Sequence, residues 1–199
     1  WDAFRAEASG RTIVTAAQHD KSYAMAEAVQ RVWTPPHHRE ITLQWLDPAT
    51  GLACKGRLDA LDSEHVTEIK TTYDAASSAM SRSLARYDYH CQLAHYRAGA
   101  IACGLATSAT RVRIVAVESS APYDVAIYDL DDEALIAGEE EVARLLARVA
   151  ECTAAGAWPG RYTEPQPLSL PGWMRDDNGE SDISDLGLIP GDDEESDDE

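Results

Sequence analysis

Gly56-Arg57-Leu58-Asp59-Ala60-Leu61-Asp62-Ser63-Glu64-His65-Val66-Thr67-Glu68-Ile69-Lys70-Thr71-Thr72 is the stretch that decides the fold. Side chains on a strand alternate faces with period two. In a strand over 66–71, Glu68 and Lys70 therefore share one face, and Ile69 turns the other way, towards apolar packing. If residues 62–65 close a hairpin, Leu61 pairs with Val66 and Asp59 lies directly opposite Glu68. Directly paired residues have Cβ atoms about 5 Å apart. Two carboxylates that close repel each other unless a cation sits between them, and oxygen ligands suit a hard divalent ion. The Lys70 ammonium, one pleat further on, can orient a water nucleophile and offset charge developing on phosphoryl oxygens. A metal there would polarise the phosphate and lower the pKa of the attacking water. Phosphodiester hydrolysis needs this assembly. The same residues also fit an ordinary cross-strand ion pair on a solvated face, and a D…ExK spacing alone is common by chance.

Working outward, residues 1–20 read as irregular and polar, and 22–33 as a helix with Tyr23, Ala26 and Val29 on one face. Pro35-Pro36 stops that helix. Residues 41–45 alternate as a strand, 47–51 make a turn, and 52–61 is a second strand. After the third strand come two helical patterns, 75–86 and 89–103, split near Tyr87-Asp88, with Gly104 at a C-cap position. Strands at 110–117 and 123–130 follow, then a long amphipathic helix over 133–155 that ends at Gly156. The order predicts an α/β or α+β sandwich: a hairpin-built, mixed central sheet flanked by helices.

The 199-residue length and 44% hydrophobic content fit one domain, 1–175, and a tail, 176–199. The tail is rich in Asp, Glu, Ser and Gly, which predicts disorder. It holds 12 of the 35 acids and no Lys or Arg, so the net charge of −18 shrinks to 23 acids against 17 bases over 1–175. Acidity on that scale weakens a DNA partner without excluding it. No apolar run reaches the roughly 18 residues of a membrane span. No signal peptide is visible, and the absence of an initiator Met suggests a fragment or a processed chain. Cys54, Cys91, Cys103 and Cys152 contain no CxxC pair, so reduced, mostly buried thiols and a cytoplasmic location are expected.

In the second of the paired helices, Gln92 and Tyr96 are four apart and share a face, where both can hydrogen-bond a phosphate or a water. Residues 55–59, Glu68-Ile69-Lys70-Thr71-Thr72-Tyr73-Asp74-Ala75 and Tyr87-Asp88-Tyr89-His90-Cys91-Gln92-Leu93-Ala94-His95-Tyr96, in that order and spacing, resemble the RecE-type exonuclease VIII PD-(D/E)xK domain of phages and prophages, within the lambda-exonuclease-like superfamily. The likeness continues through Val117-Glu118, 122–125 and 156–160, and covers roughly residues 20–174. It implies an αβββαβ core. It implies a Mg2+-dependent (alternatively Mn2+) 5′-to-3′ exonuclease acting on double-stranded DNA ends, whose 3′ overhang passes to a single-strand annealing protein in recombination and repair. By this resemblance Asp59 and Glu68 bind metal, with the Ile69 carbonyl as a further ligand and Glu40 as an upstream acid; Lys70 is the catalytic lysine, and Gln92 and Tyr96 match the QxxxY motif. The family commonly forms closed homo-oligomeric rings around DNA.

One departure is an upstream His motif, for which His19, His37 and His38 are the candidates. Arg57, Arg82, Arg86 and Arg97 could contact phosphates. Trp158, Tyr162 and Trp173 could wedge between bases, although docking of that segment onto the body is the plainer expectation. The acidic tail is read first as a solubilising segment, then as a DNA mimic or a grip for a basic partner. Two other functions stay open: a non-catalytic DNA-binding or assembly module, and an endonuclease or junction resolvase on the same core.

Overall fold

The computed structural model of the protein describes residues 2–171. The chain divides into two units, Trp1–Ala157 and Trp158–Glu199. The first contains α1 (Asp2–Glu7), α2 (Ala16–Val32), β1 (His38–Leu46), β2 (Ala53–Leu61), β3 (His65–Thr72), α3 (Ser77–Arg86), α4 (Tyr89–Ala102), β4 (Arg111–Glu118), β5 (Val125–Asp129) and α5 (Asp132–Ala155). The described part of the second, residues 158–171, holds no helix or strand. Trp173 and the acidic segment 176–199 lie outside the described residues.

From α2 onward the order of elements is the one read from the sequence. The start differs. Residues 1–20 are not irregular: α1 forms, and α2 begins at Ala16 rather than at Ser22. A capping box explains the early start. The Thr15 hydroxyl accepts from the Gln18 N–H at 3.2 Å, and the Gln18 side chain accepts from the Thr15 N–H at 2.9 Å, which satisfies two donors that the first turn leaves open. The turns before Tyr23 are exposed and carry no apolar stripe, so periodicity alone misses them. At the other end of the sheet, Tyr123 sits at φ 62, a left-handed conformation that a strand cannot include, and β5 begins only at Val125.

The five strands lie in the order β1-β2-β3-β4-β5. Only β3 and β4 run parallel; the other neighbours are antiparallel. A parallel pair needs a crossover, and α3 and α4 provide it. Alternate residues of β4 divide the core. Val112, Ile114 and Ala116 join Leu43, Trp45, Leu58, Val66 and Leu93 on the face covered by α4. Val115 and Val117 pack with Val29, Met25 and Trp33 of the α2 segment on the opposite face. α4 spans β1 to β4, and α5 packs against α4. No helix among the described residues is long and apolar enough to cross a membrane. Cys91 and Cys152 are buried, Cys54 is half-buried and Cys103 exposed; all four are free thiols.

Two close approaches hold α4 in place. A Cβ on Gly56 of β2 would lie 2.9 Å from the Tyr96 ring, so α4 rests directly on the β2 backbone. A Cβ on Gly138 of α5 would lie 2.5 Å from the His90 carbonyl oxygen, a main-chain atom that cannot rotate away. Gly138→Ala must therefore part α4 from α5. We expect a loss of about 1–3 kcal/mol, the usual cost of overpacking, measured by chemical denaturation. An unchanged unfolding midpoint would show that the two helices are not in this contact.

Candidate active site

The expected hairpin forms between β2 and β3. Asp62 Oδ1 accepts from the N–H groups of Glu64 at 2.8 Å and His65 at 2.7 Å, and Leu61 pairs with Val66. Beyond Ala60 and Thr67 the ladder stops. There the Ile69 N–H donates to the Asp59 carboxylate at 2.7 Å instead of to a main-chain carbonyl of β2. A side chain thus stands in for the neighbouring strand, and the two strands part where the acids meet. On the other flank the β1–β2 register runs Arg39↔Ala60, then Ile41↔Leu58, and skips the level of Glu40 and Asp59. Glu40 itself is left-handed, at φ 54. Leu58 and Leu61, three apart, both enter the same core cluster. The period-two alternation of β2 therefore slips at Asp59-Ala60, which a regular strand over 52–61 did not anticipate.

The register Glu68↔Ile114 and Lys70↔Ala116 puts both side chains on the α4 face of the sheet. Glu68 is only 6% exposed. Its Oε1 accepts from Lys70 Nζ and from Gln92 Nε2, each at 2.9 Å. Lys70 Nζ also donates to Gln92 Oε1 at 2.8 Å and lies 4.5 Å from the centre of the Tyr89 ring. Gln92 Nε2 reaches the Tyr96 hydroxyl at 3.2 Å. Glu68 Oε2 is buried and has no hydrogen-bond partner among the described residues. Burial pushes the Glu68 carboxyl above the usual range; the Lys70 ammonium opposes this, and the negative charge of Asp59 adds to it.

Glu68, Lys70, Gln92 and Tyr96 are thus gathered into one network, and Asp59 borders it. The other residues singled out from the sequence are placed differently. Ile69 does turn to the opposite face, but it is 38% exposed rather than packed; on that face α2 packs chiefly on β4 and β5. Glu40 forms an ion pair with Arg57; its carboxylate does not join those of Asp59 and Glu68 in a compact ligand set. Arg97 is not free for phosphate. Its side chain is 12% exposed, binds the Thr110 carbonyl at 2.7 Å and the Ser108 carbonyl, and pairs with Glu139 at 2.8 Å, so it ties α4 to the approach of β4 and to α5. Arg82 and Arg86 are exposed on α3, and Arg86 lies over the Tyr87 ring. His19 bonds Asp20, and His37 and His38 stack edge-on against each other.

The sequence reading passed over Tyr89, which shields Lys70. Its position three before Gln92 puts it on the same helix face, a signal available in the sequence. It also passed over Asp88, His90 and Cys91, whose donor atoms lie within 4.8 Å of one another at the α3–α4 junction.

The donor set fits a hard divalent cation. Glu68 Oε2 is an orphaned, buried carboxylate oxygen, a costly arrangement for the bare protein. Asp59 supplies a second carboxylate close enough to raise the Glu68 pKa. Oxygen donors of this kind suit Mg2+ or Mn2+ better than soft metals.

A family model described as "PDDEXK-like domain of unknown function (DUF3799)" matches residues 24–166. Among solved structures, a "putative exonuclease" from Eubacterium rectale superposes with a TM-score of 0.59 at 12% identity, over 84% of this chain and 71% of that one. At that identity the likeness concerns the fold: a five-stranded mixed sheet flanked by helices, of the PDDEXK-like nuclease type. No curated protein matches the sequence.

The raised Glu68 pKa sets a pH dependence with a definite sign. Without metal, the contribution of Glu68 to stability is full below the ordinary carboxylate range and is lost as pH rises through the raised folded-state value. A divalent ion binds the ionised form, so its stabilising effect grows over the same rise. Mg2+ or Mn2+ should therefore raise Tm more at about pH 8 than at about pH 5, and Glu68→Gln should abolish the difference. Scanning calorimetry at both pH values checks this; an equal metal effect at both would be the contrary result.

Proposed function

The chain belongs to the PDDEXK-like DUF3799 family, and from that membership we propose that it is a divalent-metal-dependent nuclease that hydrolyses phosphodiester bonds at double-stranded DNA ends. The observation that carries the reading is the state of Glu68: one oxygen is held by Lys70 and Gln92, and the other is buried without a partner beside Asp59. A surface ion pair would show neither burial nor an orphaned oxygen.

In this reading Asp59 and Glu68 hold the cation, with the carbonyl of Ile69, the residue after Glu68, as a further ligand. When bound, the cation polarises the scissile phosphate and makes the attacking water more acidic. The protein's own groups do the positioning. The Asp59 carboxylate is fixed by the Ile69 N–H. The Lys70 ammonium is held in one place by Glu68, Gln92 and the Tyr89 ring. There it can orient the water and meet the charge that builds on the phosphoryl oxygens as the water attacks phosphorus and the P–O bond to the departing nucleotide breaks. Gln92 acts through Glu68 and Lys70, and Tyr96 through Gln92, so both are positioning residues.

The finer assignments rest on the motif resemblance: attack on ends, 5′-to-3′ polarity, a 3′ overhang delivered to a single-strand annealing protein for recombination, and a homo-oligomeric ring; a cytoplasmic setting rests on the cysteine pattern. An endonuclease or a non-catalytic DNA-binding module on the same core would give a different outcome on digestion.

Digestion of linear and covalently closed circular duplex with Mg2+ tests the reading. The linear form should be degraded and the circle left intact. Nicking of the circle would identify an endonuclease, and survival of both would identify a binding module. Lys70→Ala should lower the rate at least about a hundredfold, on the order of 3 kcal/mol of transition-state stabilisation. A variant of unaltered Tm that digests at the parental rate would remove Lys70 from the chemistry.

A further inference from the structure

Beside Lys70 lies a cleft of about 220 Å³ whose walls include Lys70, Thr72, Tyr73, Ser83, Tyr87 and Tyr89. None of the roles assigned above uses Tyr73 or Tyr87. Tyr73 follows the end of β3 and is 87% exposed, and Tyr87, between α3 and α4, is 57% exposed. Aromatic rings carry a large apolar area, and here two stand open on a single cleft. Tyr87 also belongs to a pair of stacked rings with a cation at each end. The Lys70 ammonium sits over Tyr89 at 4.5 Å. Tyr89 stacks on Tyr87 with centroids 5.6 Å apart and 28° between planes. The Arg86 guanidinium lies 5.6 Å from the Tyr87 centroid.

A ligand for this cleft must offer flat π-faces with anionic groups beside them. An unpaired nucleotide strand does so: its bases stack on aromatic side chains whatever their identity, and its phosphates meet the cations. A paired base inside a duplex cannot, because its faces are already covered. We propose that the Tyr73–Tyr87 cleft is a subsite for an unpaired nucleobase of the strand whose phosphate lies at Lys70. Tyr73 supplies the open stacking face and Arg86 meets the neighbouring phosphate. The proposal rests on the nuclease reading and adds to it a substrate form: the strand end enters the site frayed or single-stranded.

The test is binding, measured apart from cleavage. In chelator, fluorescence anisotropy compares a short labelled oligothymidylate with the same backbone carrying abasic residues. The intact protein should bind the base-bearing strand about tenfold more tightly. Tyr73→Ala should bind both strands alike, while Tyr73→Phe keeps the preference; Tyr87→Ala should reduce it. Tyr73 is exposed, so Tm should not change. Equal affinity of the intact protein for the two strands, or a full preference surviving in Tyr73→Ala, overturns the subsite. Loss of the preference in a protein that still digests linear duplex removes only the subsite. A preference without any digestion removes the nuclease reading and leaves a strand-binding cleft.

Discussion

The arrangement of the site depends on one buried carboxylate. Glu68 is placed by β3 under α4, where water cannot solvate it, and receives two donors on a single oxygen. A charge in that position is unfavourable unless its partners are fixed beforehand, and the fold fixes them. Lys70 is two residues along the same strand, so the period of the strand brings its ammonium to Glu68. Gln92 comes from α4, and its amide can donate to Glu68 and accept from Lys70 at once. That double role requires α4 to lie close to the sheet. It does so because Gly56 and Gly99 leave room for the rings of Tyr96 and Trp45, where a methyl group would collide with them. The small residues in β2 and α4 and the charged network are two consequences of one helix-to-sheet distance.

The gap between β2 and β3 follows from the same constraint. If the ladder had continued past Ala60 and Thr67, the Asp59 carboxylate would have stood free beside Glu68. Instead it takes the N–H of Ile69, which pins its direction and leaves the space between the strands open. The kink at Glu40 and the slipped alternation at Asp59 belong to this departure. Irregular backbone concentrates here, while β4, one strand further in, is regular along its whole length.

This division explains what could be read in the sequence. The D…ExK stretch, the hairpin at 62–65 and the face shared by Gln92 and Tyr96 are local periodicities, and local periodicity survives folding. The two helices split at Tyr87-Asp88 were visible for the same reason, and the left-handed Asp88 is the break itself. What was not legible depends on partners distant in the chain. Arg97 reads as a free cation until Thr110 and Glu139 arrive beside it. Ile69 reads as packed because nothing in the sequence says that α2 packs chiefly on β4 and β5. The partner of Glu40, Arg57 across the β1–β2 pair, is likewise not visible in the sequence. The capping box at Thr15 and Gln18 was local and legible, and was overlooked because its helix turns carry no apolar stripe.

The ion pairs bear on how so acidic a chain could hold a polyanion. Arg57, Arg97, Arg113, Arg144 and Arg148 are each bound to a carboxylate of the protein itself. Engaged in this way, they offer little of the counterion release that drives most sequence-independent DNA binding. On the proposed function, affinity would draw on the site as well: the cation that Asp59 and Glu68 would hold, the oriented Lys70 ammonium, and the aromatic surface next to it. Of the four arginines expected at phosphates, Arg82 and Arg86 are exposed on α3 and pair with no carboxylate among the described residues, and Arg86 lies over the ring of Tyr87, which lines the tyrosine cleft. The exposed arginines of α3 and the aromatic cleft thus lie beside the same network, and on the proposed function a substrate there would be held by contacts near Lys70 more than along its length.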